Sequence, residues 1–259
     1  DELLKSADNK PGVQAKVSDN KQKSELFDDA TSWQNAIEEA LDNKALEINT
    51  YPVTSFTGQL MQNQLGLSLE LGGQVYRAGY YYQWANRLKL LARLDWGLIK
   101  ALVAQYSIEP PSELISVELS AQTLLDDAAL ASILTYLSAF PDLASKICFD
   151  IRESIAVSEI KIFKGFCEDV RCMGAKVALK RVGPEFTKIE KIQEFGLEMI
   201  KVDSVYGHNI SYSQDNQTFL RGVCTLAHSI GIKVVAQGVT SQDDLDTLIN
   251  LGFDGVIKE

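Results

Sequence analysis

Three apolar runs in this chain end in side chains that could do chemistry. Lys180 and Arg181 follow Val177-Ala178-Leu179, Lys201 and Asp203 flank the end of Met199-Ile200, and Gln237 follows Val234-Val235-Ala236. The first run closes on Gly183-Pro184, so it reads as a buried strand whose charged end meets a turn at the surface. In a parallel barrel the C-terminal strand ends form the active face, and these residues then decide what the molecule can do. Metal-assisted hydrolysis on such a face would need several anionic oxygens around hard divalent cations. Lys180, Arg181 and Gln237 offer two cations and an amide instead. The expectation is a barrel of enzyme type that holds no metal and has no cofactor.

Positioning those residues takes alternating strands and helices. Strand patterns fall at about 45–53, 59–71, 114–119, 146–151, 175–179, 199–202, 234–236 and 253–256. Helical spacing fills 79–90, 92–106, 126–140, 157–173, 184–195, 216–230 and 242–251 between them. The second strand alternates Leu65, Leu67, Leu69 and Leu71 with Gln64, Gly66, Ser68 and Glu70, so one side is buried and the other lines something wetter. Thr57-Gly58 between the first two strands predicts a hairpin-like start. The fold class is therefore α/β, a TIM-like (β/α)8 barrel with an irregular, antiparallel first strand. Residues 1–27 are polar and read as a linker or flexible arm; 28–259 form the barrel domain, with a lead-in helix at about 28–43 capped by Thr31 or Ser32. The Tyr80-Tyr81-Tyr82 and Trp84 cluster reads as helix-to-barrel packing in preference to a stacking platform for bases.

Twenty-five Lys and Arg against 35 Asp and Glu leave a net charge of −10, which argues against direct nucleic-acid binding. The four cysteines show no Cys-x-x-Cys spacing and read as reduced thiols, and neither His208 nor His228 has a metal-ligand partner in sequence. No apolar run approaches bilayer-spanning length and no signal peptide is visible. A chain that opens on Asp1 is expected to be part of a longer protein.

The motifs resemble those of the EAL domain, whose active members hydrolyse cyclic di-GMP with two divalent cations held by strand-end carboxylates. The likeness covers about 45–257. Tyr51-Pro52-Val53 stands for the opening Gln-Pro-Ile/Val, and Gln64-Leu65-Gly66-Leu67-Ser68 for Glu-Ala-Leu-x-Arg. Leu94-Asp95 keeps a Leu-Asp pair, Glu118-Leu119-Ser120 replaces Asn-x-Ser, and Asp150-Ile151-Arg152-Glu153-Ser154 matches Glu-x-Thr-Glu-Ser. Lys180-Arg181-Val182-Gly183 replaces Asp-Asp-Phe-Gly, Lys201-Val202-Asp203 keeps Lys-Ile-Asp, and Ala236-Gln237-Gly238-Val239-Thr240 replaces Ala-Glu-Gly-Val-Glu. The late Gln-Gly falls on Ile257-Lys258. The resemblance thus implies a degenerate site at the barrel mouth, lined by Gln64, Ser68, Glu118, Asp150, Glu153, Lys180, Arg181, Lys201, Asp203 and Gln237. Across it Lys180 and Arg181 are expected to pair with Glu118, Asp150 or Glu153, since lone cations there would be costly.

What this implies for function is a catalytically inactive regulatory module in bacterial signalling. Segments 58–65 and 215–217 are similar to degenerate GGDEF-EAL regulators of the CsrD or MshH type, which implies a protein partner such as the glucose-specific enzyme IIA component of the phosphotransferase system. A homodimer is a further expectation of this kind. Segments 73–79 and 219–222 are similar to the LapD type, which implies the alternative of a non-hydrolysing cyclic di-GMP receptor, with Ser68 and the altered Gln-Gly against it. An active phosphodiesterase ranks last. The CsrD or MshH type implies a cytoplasmic domain of a membrane-anchored multidomain protein.

Overall fold

In a computed structural model, the described residues are 27, 29–189, 191–239 and 241–257, so the sequence-predicted arm over 1–27 lies outside them except for Phe27. The lead-in helix α1 (Ala30–Asp42) is capped not by Thr31 or Ser32 but by Asp29, whose carboxylate accepts the Ser32 N–H at 2.7 Å. An acidic cap suits the positive end of a helix dipole. Strands β1 (Leu46–Ser55) and β2 (Leu60–Leu71) form an antiparallel hairpin, with Ser55 and Gln59 joined by a 2.8 Å backbone bond. β3 (Gln74–Arg77) folds back on the end of β2. The Gly72-Gly73 turn is legible in the sequence, but the short polar strand after it is not.

The chain continues through α2 (Ala78–Arg87), α3 (Leu91–Tyr106) and β4 (Leu114–Glu118) to α4 (Ala121–Leu124), α5 (Asp127–Ser138) and α6 (Pro141–Ala144). After β5 (Ile147–Arg152), the helix expected at 157–173 is two: α7 (Glu153–Ser158) and α8 (Ile160–Cys172), broken at Glu159. α7 is held at the mouth, because the Glu153 carboxylate accepts the Gly183 N–H at 3.0 Å. α8 lays Phe163, Phe166, Cys167 and Val170 on the barrel wall, and the break reconciles the two seats.

β6 (Lys176–Val182) leads not to a regular helix at 184–195 but to two 3₁₀ turns, Pro184–Lys188 and Ile192–Phe195. The apolar residues there, Phe186, Ile189, Ile192 and Phe195, recur every third residue and are all buried. A spacing of three matches a 3₁₀ turn and not a 3.6-residue helix. β7 (Met199–Val202), α9 (Ser204–Gly207), a 3₁₀ turn (Ile210–Tyr212), α10 (Gln214–Ser229), β8 (Lys233–Gln237), α11 (Gln242–Leu251) and β9 (Gly255–Ile257) complete the order.

The sheet runs β1-β9-β8-β7-β6-β5-β4-β2 and closes through β1–β2, an eight-stranded barrel with β3 added on β2. β1 is antiparallel to both neighbours, and β2 and β4 to β9 are mutually parallel, as expected from the sequence. One large core lies between strands and helices. A smaller one, Val53, Cys148, Ala178, Met199, Val235 and Ile257, plugs the barrel interior. Among the described residues no helix is long and apolar enough to cross a membrane.

Closure depends on a close approach between β1 and β9. A Cβ on Gly255 would lie 2.3 Å from the Thr54 carbonyl oxygen, and backbone cannot move aside as a side chain can. Gly255→Ala is therefore expected to destabilise the domain by about 3 kcal/mol or more, read as a lowered urea midpoint at unchanged slope.

Candidate functional site

The deepest polar layer of the barrel is built on Lys201. Its ammonium, 0% exposed, donates to Asp150 Oδ2 at 2.5 Å, to Ser116 Oγ at 2.6 Å and to Gln64 Oε1 at 3.1 Å. Ser116 in turn donates its hydroxyl to Asp150 Oδ2. An ammonium has three N–H donors, and all three are engaged. The four residues come from β7, β5, β4 and β2, so this cluster ties half the barrel together from inside. The period-2 alternation of each strand places them there.

Above it lies a second network. Glu118, at the end of β4, takes the Lys180 ammonium on one oxygen at 2.8 Å and Arg152 Nε on the other at 2.9 Å. Arg152 also donates to the Tyr82 hydroxyl at 2.9 Å and lies over the Tyr82 ring, 5.1 Å from its centroid. Burial works against ionising Glu118, but Lys180 and then Arg152 outweigh it and hold the carboxyl down at about 2. Behind this network Asp95 accepts the Ser120 N–H at 2.8 Å and the Thr123 hydroxyl at 2.5 Å. Burial dominates those bonds and pushes Asp95 up to about 6.

An open cleft of about 860 Å³ sits at the mouth, lined by Gln64, Lys180, Arg181, Asp203 and Gln237, with Ser204, Val205, His208 and Gly238. Arg181 occupies a bulge between β6 and β7 with φ of +54°, a conformation rare for a long side chain. It is exposed, and among the described residues no hydrogen bond or ion pair engages it. Gly238, with φ of +68°, lets the end of β8 turn back where a Cβ would stand 3.0 Å from Ser204 Cβ.

Five of the ten sequence-predicted positions line this cleft, and five do not. Asp150 and Lys201 form the buried layer beneath it, and Glu118 borders a neighbouring small cavity of about 110 Å³. Ser68 is 1% exposed and accepts from Asn49 Nδ2 at 2.6 Å, while Glu153 is turned to the Gly183 amide. Of the expected ion pairs, Lys180–Glu118 forms and no pair of Arg181 does. Sequence reasoning passed over Ser116, Arg152, Tyr82 and His208 as site residues. A Ser two residues before Glu118 on an alternating strand was a usable signal for Ser116. Of the aromatic cluster, Tyr81 and Trp84 serve packing, Tyr81 buried with its hydroxyl on the Leu67 carbonyl at 2.7 Å and Trp84 stacked on Trp33, whereas Tyr82 turns to Arg152.

Barrel and mouth together define a class: a closed eight-stranded α/β barrel, opened by an antiparallel strand, whose polar site lies at the parallel strand ends. The EAL domain family matches residues 34–257, and the chain belongs to that family. It is 21% identical to the cyclic di-GMP phosphodiesterase PdeB of Shewanella oneidensis, over 98% of this chain and 31% of that protein. It is 18% identical to the cyclic di-GMP phosphodiesterase PdeF of Escherichia coli K12, over 87% of this chain and 31% of that protein. The chain thus spans about a third of the length of these curated relatives. Among solved structures it superposes on the apo LapD S helix-GGDEF-EAL of Vibrio cholerae with a TM-score of 0.84 at 20% identity, covering 97% of this chain and 66% of that one. The FimX EAL domain of Xanthomonas citri in complex with c-diGMP gives 0.77 at 19% identity, covering 88% and 91%.

Two stability effects follow. Lys201→Met leaves Asp150 charged and uncompensated in the barrel and is expected to cost about 3–5 kcal/mol in urea unfolding, whereas Lys201→Met with Asp150→Leu recovers most of it. The two shifted carboxyls act in opposite directions with pH. Glu118, ordinarily near 4.5, contributes stability that is present above that value and is lost as pH falls toward about 2. Asp95, ordinarily near 3.8, contributes stability that is present below that value and is lost as pH rises through about 6. Stability differences from Glu118→Gln and Asp95→Asn, measured across pH 2.5 to 7, should therefore have slopes of opposite sign.

Proposed function

We propose that this domain is a non-hydrolysing EAL-type regulatory module that works by contact with a protein partner. The observation that carries this reading is the state of the strand-end carboxylates. Glu118 is shared by Lys180 and Arg152, and Asp150 is held by Lys201 and Ser116. A pair of divalent cations, as the family's hydrolytic chemistry requires, does not fit this donor set. Among the described residues no group of three or more His, Cys, Asp and Glu could hold a metal ion. Each unit-charge pair at 4 Å contributes roughly 4 kcal/mol at an effective dielectric of 20, and a dication doubles it. Lys180 and Arg181 add positive charge to the same mouth, and its sign works against a dication there.

A second reading, that of a metal-free cyclic di-GMP receptor, draws support from the open cleft and from Arg181, a cation left free to meet a phosphate directly. The buried seat of Ser68, where the family's motif has an arginine, weighs against it.

Cyclic di-GMP turnover in Mg²⁺ or Mn²⁺ is expected to stay at background, with metal activation worth about a thousand-fold or more missing. Lys180→Asp alone should not restore it, because Arg152 and Lys201 still hold the remaining acids. Isothermal titration ranks the two readings: micromolar binding of cyclic di-GMP without metal would favour the receptor, and capture of a partner that nucleotide does not displace would favour the protein contact. Turnover above background would sink both.

A further inference from the structure

Side-chain contacts, bridged once by the body of helix α2, join the lead-in helix to the mouth. Trp33 of α1 is 1% exposed and stacks on Trp84 of α2, with ring centroids 5.6 Å and planes 13° apart. Phe27 meets Trp33 edge-on at 5.0 Å, and Arg87 lies 5.0 Å over Trp84. Two residues before Trp84, α2 carries Tyr82, which holds Arg152 by its hydroxyl and by its ring face. Arg152 holds Glu118, and Glu118 holds Lys180. Residues two apart stand roughly 200° apart around a helix. α2 therefore turns Trp84 to α1 and Tyr82 to the mouth, and a shift at one face is a shift at the other.

We infer that Tyr82 is a positioning residue for the Glu118–Lys180 pair, and that the Trp33–Trp84 stack makes this positioning depend on how α1 is seated. It rests on the reading above that the domain is a regulatory module, and it takes the mouth as the surface that a ligand or partner meets. Close-packed side chains re-seat in steps and do not stretch, so a displaced Trp33 moves α2 as a body. The run is short and each link is a specific contact: ring stack, helix, hydroxyl and guanidinium, carboxylate, ammonium. A segment upstream that pulls on α1 would thereby loosen or tighten the cations that a ligand or partner meets. The coupling runs equally in reverse, so occupancy of the mouth would alter how firmly α1 is held.

The test is solvent exchange of the Arg152 Nε–H, followed by NMR on the whole 259-residue chain with no nucleotide or metal added. Tyr82→Phe, which removes only the hydroxyl, is expected to speed that exchange about ten-fold, the cost of one charge-assisted bond. Trp33→Leu touches neither Arg152 nor Tyr82, yet should speed it at least about two-fold, and Trp33→Phe should restore it. In the Tyr82→Phe background Trp33→Leu should add nothing. Phe195→Leu, which removes an aromatic ring packed on Phe163 away from this run, should leave Arg152 unchanged. Where Trp33→Leu does not fold, Trp84→Leu removes the same stack from its half-buried side, with the same outcomes expected. The inference is overturned if the stack variant leaves Arg152 exchange at the parent value, if Phe195→Leu moves it as much, or if the effect persists in the Tyr82→Phe background. Turnover of cyclic di-GMP, which would defeat the non-hydrolysing reading, does not enter this measurement, so the two can fail separately.

Discussion

One ammonium group governs the interior of this barrel. Lys201 is buried to 0% exposure and spends its three donors on Asp150, Ser116 and Gln64, drawn from three other strands. A buried charge is tolerated only when paired and fully hydrogen-bonded, and this one is both. The apolar plug of Val53, Cys148, Ala178, Met199, Val235 and Ile257 fills the interior alongside it, while the cleft lies open above. Between dry core and wet mouth, the Lys201 cluster sets the floor.

Above that floor, charge is arranged by sharing. Glu118 is buried but faces two cations, Lys180 and Arg152, whose field holds its carboxyl below the usual range. Such a carboxylate has little to offer a further cation. The same arrangement leaves the opposite rim uncommitted: Arg181 is unpaired among the described residues, beside His208 and Gln237. The mouth is thus asymmetric, sealed on the β4–β5 side by the Arg152–Tyr82 contact and open on the β6–β8 side.

Much of the fold was legible because period carries it. Alternating Leu65, Leu67, Leu69 and Leu71 declared β2 and its buried face, and the strand–helix rhythm declared the barrel. The 3₁₀ turns after β6 were written in the three-residue spacing from Phe186 to Phe195, a signal that a helix template absorbs. β3 carried no signal, since three of its four residues are exposed and the fourth is partly so. At the site, residue types were legible and partners were not. Which carboxylate Lys180 would choose depends on strand register: Arg152 pairs with Lys180 across β5–β6, and Glu118 with Asp150 across β4–β5. Sequence spacing alone does not contain that register.

Register also explains why the residues that share a motif do not share a fate. Asp150 and Arg152 both point inward from β5, two residues apart, yet one lies in the sealed layer and the other at the mouth. One step of about 6.6 Å along a strand, two residues at about 3.3 Å each, separates a side chain sealed inside the barrel from one that takes part in the network at its mouth. The same step separates Lys180 from Ala178 and Gln237 from Val235, both of which belong to the apolar plug. Chemistry on this barrel is therefore confined to the last inward-facing position of each strand, and it is the composition of that single ring, with cations in excess of free acids, that bears on what the domain can bind.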